Sequence, residues 1–366
     1  MAFAVPVWLA VQEELLFGEP ETINPGSATP SCFDSFTDEE LFKVFHLSRP
    51  CITFISDAVR NRMKTSDFKR PAPSVDAMVM LALNFYAQGL FTPSVALKLG
   101  TNHRVSLTTV VSTMSGVIAG MSDVFISFPL TAEARASTAS KTEELCGIPG
   151  VLGVLAPAHF KIRASPYDKS TFKSFINVLG YTSVVSQLIC DSEGNILSVE
   201  KCCVGSTHEQ DMWDSSFKGR QVEDDVHGAF RFIGGKGYRL SKHVLTPVPQ
   251  PANDSEIRFN EAHAKIHDVV QTTLSSMKRR FKCLLQLGFA DDGSLNKKSN
   301  IIKTCSVLHN IAQKFSIPFP PAAGQTEPPY SGKQCSSVEV ATEALKARQE
   351  LIEKNFGLSK RLDPLD

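Results

Sequence analysis

The run Gly150-Val151-Leu152-Gly153-Val154-Leu155-Ala156-Pro157-Ala158-His159-Phe160 constrains the fold more than any other stretch of the chain. It is a short, almost wholly apolar segment bounded by proline and glycine signals, too short to cross a bilayer, and it reads as a strand buried at the centre of a sheet. It is the first strand of the larger domain.

The chain has 366 residues, enough for two or three domains and a substantial core. Lys and Arg together number 38 and so do Asp and Glu. No global field therefore draws the protein onto nucleic acid, and any such contact needs a local basic patch. Nine cysteines, an odd number without a C-x-x-C pair, point to reduced intracellular thiols and away from a disulfide framework or structural zinc. The neighbours Cys202 and Cys203 read as strand residues. The apolar opening from Met1 to Ala10 lacks a basic flank, contains Pro6 and soon meets Glu13 and Glu14, so it reads as packing rather than targeting. The expectation is a soluble protein of the nucleus and/or cytoplasm, with no membrane contact.

Residues 18 to 35 read as loop. Thr37, with Glu40 three residues on, forms a capping-box signature ahead of Leu41, Val44 and Phe45, and a second helix follows Pro50. Three further helices are expected at Ser74 to Gln88, Thr92 to Leu99 and about His103 to Ile118. Their spacing is that of a helix-turn-helix unit, in which the last helix, with Arg104, Ser106, Thr108 and Thr109 and with Lys98 just before it, would face a DNA groove. The competing reading is a three-helix bundle packed on the next domain.

Beyond the central strand, Lys161 to Tyr167 reads as a basic loop. Val184 to Cys190 and Ile196 to Val204 read as a hairpin turned at Asp191 to Asn195. Phe230 to Gly234 reads as another strand, and residues 256 to 283 as a long amphipathic helix. A further helix carries Val307 to Asn310, residues 316 to 334 form a proline-rich linker, and a terminal helix spans Val338 to Phe356. The expected organisation is an N-terminal helical region over 1–70, a helix-turn-helix-like region and connector over 71–146, the α/β domain over 147–315, and the linker with its last helix over 316–366.

Several motifs together resemble the Harbinger transposase-derived nucleases, a DDE-type family. They are the strand at Gly150, Gly205-Ser206-Thr207-His208-Glu209, Gly234-Gly235-Lys236-Gly237-Tyr238, Leu245-Thr246-Pro247, Phe259-Asn260 with His263, and Val307-Leu308-His309-Asn310. The resemblance covers roughly residues 36 to 315. It implies a ribonuclease-H-like domain with a mixed sheet flanked by helices, preceded by an all-α helix-turn-helix-like region. It also implies nuclear work on nucleic acid, a Myb-like DNA-binding partner, and two magnesium or manganese ions about 4 Å apart held by carboxylates.

In this chain the family's acidic positions read Ala156, Gly235 and Gln271. The last two lie 36 residues apart (271 − 235), the interval such enzymes show, so the replacements fall on the motif positions themselves. Alanine and glycine offer no side-chain ligand and a neutral amide is a poor substitute for a carboxylate, so no bound metal is expected. The expectation is a non-catalytic protein acting through nucleic-acid and/or protein binding. The alternative is a metal-dependent nuclease rebuilt on Asp191 and Glu209. The family's basic pair ahead of the hairpin is replaced by Val178-Leu179, and no Gly-x-Ser-x-Gly, Walker or His-Glu-x-x-His sequence offers another chemistry. His159, His208, His263 and His309 read as framework. Lys278, Arg279, Arg280 and Lys282 make the most basic stretch, and with Lys98 and Arg104 they are the candidate phosphate contacts.

Overall fold

A computed structural model describes residues 32–63, 73–101, 106–163, 171–200, 202–224, 230–288, 295–321 and 341–357. The apolar opening, His103 and Arg104, the basic loop beyond Arg163 and most of the proline-rich linker lie outside these residues.

The helical region starts where local chemistry says it should. Helix α1 (Asp38–Phe45) opens on the expected capping box, Thr37 Oγ1 accepting from Glu40 N–H at 3.2 Å while Glu40 Oε2 accepts from Thr37 N–H at 2.9 Å. Helix α2 (Arg49–Arg62) has Pro50 in its first turn, where the missing N–H costs nothing. Helix α3 (Val75–Gln88) is capped by Ser74, whose Oγ accepts from Ala77 N–H, and it ends at Gly89 in the left-handed region. Every residue of α3 from Ala77 to Ala87 is buried. It is the hub on which α1, α2 and α5 (Leu107–Ala119) pack, with the short α4 (Pro93–Lys98) and α6 (Ser122–Phe125) between and after them.

These helices form a bundle, with one face of α5 set against α3. Thr108 is 2% exposed, Ser106 caps the helix by accepting from Thr109 N–H, and Ser115 Oγ meets Tyr86 Oη at 2.7 Å inside the bundle. Among the described positions of α5, Thr109, Ser112 and Gly116 are exposed.

The sheet contains β1 (Val151–Lys161), β2 (Ser183–Cys190), β3 (Ile196–Val199), β4 (Cys203–Val204), β5 (Arg231–Gly234) and β6 (Val244–Leu245). Its order is β3-β2-β1-β5-β6, with β4 pairing the far end of β2. Strand β1 runs antiparallel to β2 and parallel to β5, and β5 runs parallel to β6, giving the mixed ribonuclease-H-like arrangement. The single strand expected over Ile196 to Val204 is split, because β3 and β4 pair different stretches of β2. A register shift in β1 between Val151 and Gly153 re-phases the strand. Gly153 is required there, since a Cβ would sit 2.8 Å from Cys190 O and 2.9 Å from the Ile189 side chain.

Both faces of the sheet are covered. On one, Val154, Ala156, Ala158 and Phe160 pack in a core with Val270 and Met277 of α10 (Asp254–Arg280) and Leu308 of α11 (Leu295–Lys314). On the other, Leu152 and Leu155 meet Ala139 of α7 (Ala132–Cys146), Trp213 of α8 (Glu209–Ser215) and Val222 of α9 (Phe217–Glu223). Helices α8 and α9 supply the crossover to β5. The last helix, α12 (Thr342–Phe356), packs on α10. The larger core runs without interruption from Phe36 in the helical region to Ile352 in α12.

Conserving contacts of the sheet with its helices is the task of several motif side chains. Asn260 on α10 clamps the segment after β6 by donating to Val248 O and accepting from Val248 N–H, both at 2.9 Å. His263 Nε2 donates to Gly234 O at 3.0 Å, and His309 Nε2 on α11 donates to Gly194 O at 3.2 Å. Asn310 accepts from Ile196 N–H and donates to both Ile196 O and Phe125 O, tying β3, α6 and α11 together.

Arg280 has the most constrained setting of any cation here. It is 1% exposed, and its guanidinium donates to His46 O at 2.7 Å and to Ile317 O at 2.8 Å, while His46 Nδ1 donates back to Arg280 O at 2.7 Å. One side chain thus joins the ends of α1, α10 and α11. Burial pushes its pKa down to about 10, which still leaves it charged at neutral pH.

Replacing Arg280 with Met leaves two buried carbonyls without donors, at roughly 1–3 kcal/mol each. We expect a loss of about 3 kcal/mol of stability, read as a lower midpoint in urea unfolding, whereas Arg279→Met on the half-buried neighbour should cost under about 1 kcal/mol. A second expectation concerns acid. Burial holds His263 and His309 neutral with pKa values of about 4, below the ordinary 6.5. The unfolded chain binds the extra protons between those values, so stability is fully present above pH 6.5 and is lost as pH falls toward 4. Unfolding midpoints at pH 7 and pH 4.5 should differ by the equivalent of roughly 2 kcal/mol per histidine, and His263→Gln should flatten that dependence.

Candidate functional site

Parallel pairing places the two strand positions side by side. Leu155 lies opposite Gly234, so Ala156 and Gly235 follow on adjacent strands, about 4.8 Å apart in the pairing direction. Helix α10 crosses this edge, and its Gln271 completes the set. Gly235 and Gln271 line a cleft of about 440 Å³ at the carboxyl end of β5, together with Pro157, the residue after Ala156.

Their chemistry does not fit a pair of divalent ions. Ala156 is fully buried and its methyl group belongs to the apolar core beneath α10; its neighbour Pro157 lines the cleft instead. Gly235 presents bare backbone, and a Cβ built on it would lie 3.3 Å from His267 Nε2, so the imidazole stands where a side chain at 235 would point. The φ of Gly235 is not positive, so nothing in the backbone demands glycine there. Gln271 offers a neutral amide. Among the described residues no three His, Cys, Asp or Glu side chains are grouped to hold a metal ion.

His263 and His267 stack on α10 with centroids 6.0 Å apart and planes inclined by 13°. Burial drives both pKa values down, His263 to about 4, with His267 a further downward influence on it. The pair adds no positive charge to the cleft at neutral pH.

Two carboxylates do line the cleft. Asp268 is exposed on α10, whereas Glu209, at the start of α8, is 3% exposed. The Glu209 carboxylate lies across Gly237, where a Cβ would come within 2.5 Å of its Cδ. Its Oε1 has no hydrogen-bond partner among the described residues. Oε2 is 3.7 Å from His208 Nδ1, but that nitrogen already accepts from Gln210 N–H, the cap of α8, and has no proton to give.

The structure sets apart Asp191 and Glu209, the residues of the alternative metal site. Antiparallel pairing of Val154 with Cys190 carries Asp191 toward the amino end of β1, away from the cleft at the carboxyl end of β5. Its oxygens are taken by the turn: Oδ1 accepts from Glu193 N–H and Asn195 N–H, and Oδ2 accepts from Asn195 Nδ2. Burial raises its pKa above the usual carboxylate value.

The basic stretch is likewise dispersed. Successive helical residues point about 100° apart. Lys278 turns toward β1, donating to His159 O at 2.9 Å and lying over the Phe160 ring, while Arg280 enters the core and cannot reach a phosphate. Arg279 stacks on Phe319 at 5.0 Å, and Lys282 donates to Gln88 Oε1 at 3.3 Å. Lys98 pairs with Glu40 at 2.7 Å above the Phe36 ring. Val178 and Leu179 sit half-exposed at the turn before β2, offering apolar surface where the resemblance implies two cations. What sequence reasoning missed is the isolation of Glu209, since only the fold brings it against Gly237 and Pro157; its place in the Gly-Ser-x-His-acid motif was the available signal.

Comparison with known proteins agrees with this geometry. The DDE superfamily endonuclease family matches residues 158–310, a span that starts two residues past Ala156 and includes Gly235 and Gln271. HARBI1 of Xenopus laevis, a protein named as a nuclease, is 28% identical over 358 residues, covering 96% of this chain and 99% of that protein. Human HARBI1 is 27% identical over 357 residues with the same coverage. The ALP1-like protein of Arabidopsis thaliana is 23% identical over 235 residues, 60% of this chain and 57% of its own length. No solved structure matches the chain. With its strand order, its motif side chains and these relatives in agreement, the chain carries a DDE superfamily endonuclease domain and is a relative of the Harbinger transposase-derived nucleases.

Proposed function

We propose that this protein keeps the nuclease scaffold without the cleavage chemistry and acts by binding, to nucleic acid and/or to a protein partner. The observation that carries this reading is the cleft itself: where the family's carboxylates would hold metal, the chain has a methyl group sealed in the core, a glycine facing an imidazole, and a neutral amide. Two-metal hydrolysis needs anionic oxygens to gather the ions, to activate water and to steady the leaving oxygen. Neither the neutral histidine pair nor the single buried Glu209 replaces them. By resemblance the partner class is a Myb-like DNA-binding protein and the setting is the nucleus and/or cytoplasm. Any direct DNA contact is weak, because Lys98, Arg279 and Lys282 are individually engaged and Arg280 is internal.

The purified protein should leave duplex DNA and RNA intact with magnesium or manganese. The joint substitution Ala156→Asp, Gly235→Asp and Gln271→Glu should create manganese binding. The Asp at 156 would be an unpaired carboxylate in an apolar core, so the variant should melt below the natural protein without metal. Manganese at about a hundred times its dissociation constant should then return about 2.7 kcal/mol of stability, which a thermal melt resolves easily. Cleavage by the natural sequence that disappears in Glu209→Gln would overturn the non-catalytic reading.

A further inference from the structure

We propose that the cleft receives the cationic tip of an arginine or lysine side chain presented by a protein partner, with the Glu209 carboxylate as its acceptor. The inference rests on the reading above, in that it requires the cleft to be free of a metal pair, and it names what that cleft takes instead.

Glu209 is the central observation. A carboxylate 3% exposed, with one oxygen lacking any partner among the described residues, is costly unless something satisfies it. The fold holds it in place all the same: it lies across Gly237, the one kind of residue that leaves room for it, and it lines the cleft. His208 gives it no proton, since Nδ1 is used as the cap of α8. The neighbouring histidines are kept neutral by burial and do not neutralise it. An unsatisfied buried anion at the base of an open cleft is a seat for a positively charged donor.

The remaining walls suit a long basic side chain. Pro157, Pro247 and Tyr238 offer apolar surface to an alkyl stem, Asp268 adds a second negative charge on the rim, and Lys236 is the rim's only Lys or Arg among the described residues. A volume of about 440 Å³ is ample for one side chain. Two carboxylates against one lysine repel a phosphate, so the same site disfavours a nucleic-acid backbone. A divalent ion is also disfavoured, because no third ligand is grouped with these two among the described residues. A guanidinium, with donors spread over a planar fork, can satisfy Glu209 Oε1 and the Gln271 amide oxygen without the tight shell a metal demands.

Calorimetric titration of the full chain with a doubly capped Ala-Arg-Ala peptide tests this, with capped Ala-Gln-Ala and manganese chloride as parallel probes. The arginine peptide should bind in the millimolar range and the glutamine peptide should not. Glu209→Gln should weaken arginine binding at least tenfold, and Lys236→Gln, a substitution on an exposed residue that leaves the core untouched, should strengthen it two- to threefold. The Lys236 arm keeps the test decisive even if Glu209→Gln fails to fold. Equal affinity for the arginine and glutamine peptides, or arginine affinity unchanged by both substitutions, overturns the proposal while leaving the non-catalytic reading intact. Manganese binding that excludes the arginine peptide overturns both.

Discussion

Burial of β1 on both faces is the constraint from which the rest follows. Helices α10 and α11 cover one side and α7 and α8 the other, so the strand has no solvent-facing row of side chains on which to mount chemistry. Within the strands the polar side chains, such as His159, Ser186 and Gln187, are buried. At the carboxyl end of β5 lies the cleft; at the amino end of β1 lies the Asp191 turn, sealed by its own backbone donors. The same constraint explains why motif residues such as Asn260, His263, His309 and Asn310 act as ties. Each donates to a strand-end or loop carbonyl that the sheet itself leaves unpaired, and a buried carbonyl without a donor costs about as much as a lost hydrogen bond.

Attachment of the helical region depends on a second kind of tie. Arg280 spends its guanidinium on the ends of α1 and α11, and Lys282 reaches Gln88 at the end of α3. Two of the four cations in the basic stretch thus hold the bundle to the nuclease fold, a third stacks on Phe319, and Lys278 satisfies a strand carbonyl. In a chain with equal numbers of acidic and basic residues, these uses leave little positive charge to organise into a field for nucleic acid.

Local signals made much of this legible beforehand. The Thr37 capping box, the proline after Ser48, the Ser74 cap and the 3.6-residue rhythm of α10 each depend on residues within a few positions of one another, and each element formed close to its expected bounds. The placing of Ala156 and Gly235 on neighbouring parallel strands was legible from motif order, because parallel strands joined by helical crossovers bring their carboxyl ends to one edge. Long-range register was not. It splits the strand expected at Ile196 to Val204, carries Asp191 toward the amino end of β1, and sets one face of α5 against α3 and α11. Helices α8 and α9 and the two-residue β6 carry too few residues to show a period. A run of four basic residues likewise says nothing of which one is buried, since that depends on carbonyls at His46 and Ile317, more than 30 residues away on either side.

Loss of a metal site does not restore a neutral cleft. In a DDE enzyme the carboxylates and their ions compensate one another, so removing the side chains at 156, 235 and 271 removes the ions with them. Glu209 is outside that exchange. It approaches from α8 across Gly237, and its place does not depend on which residues stand at the other three positions. On the proposed reading the charges left at the cleft are Glu209 and Asp268 against Lys236, and that balance, set by residues other than 156, 235 and 271, suits the tip of a basic side chain better than a phosphate.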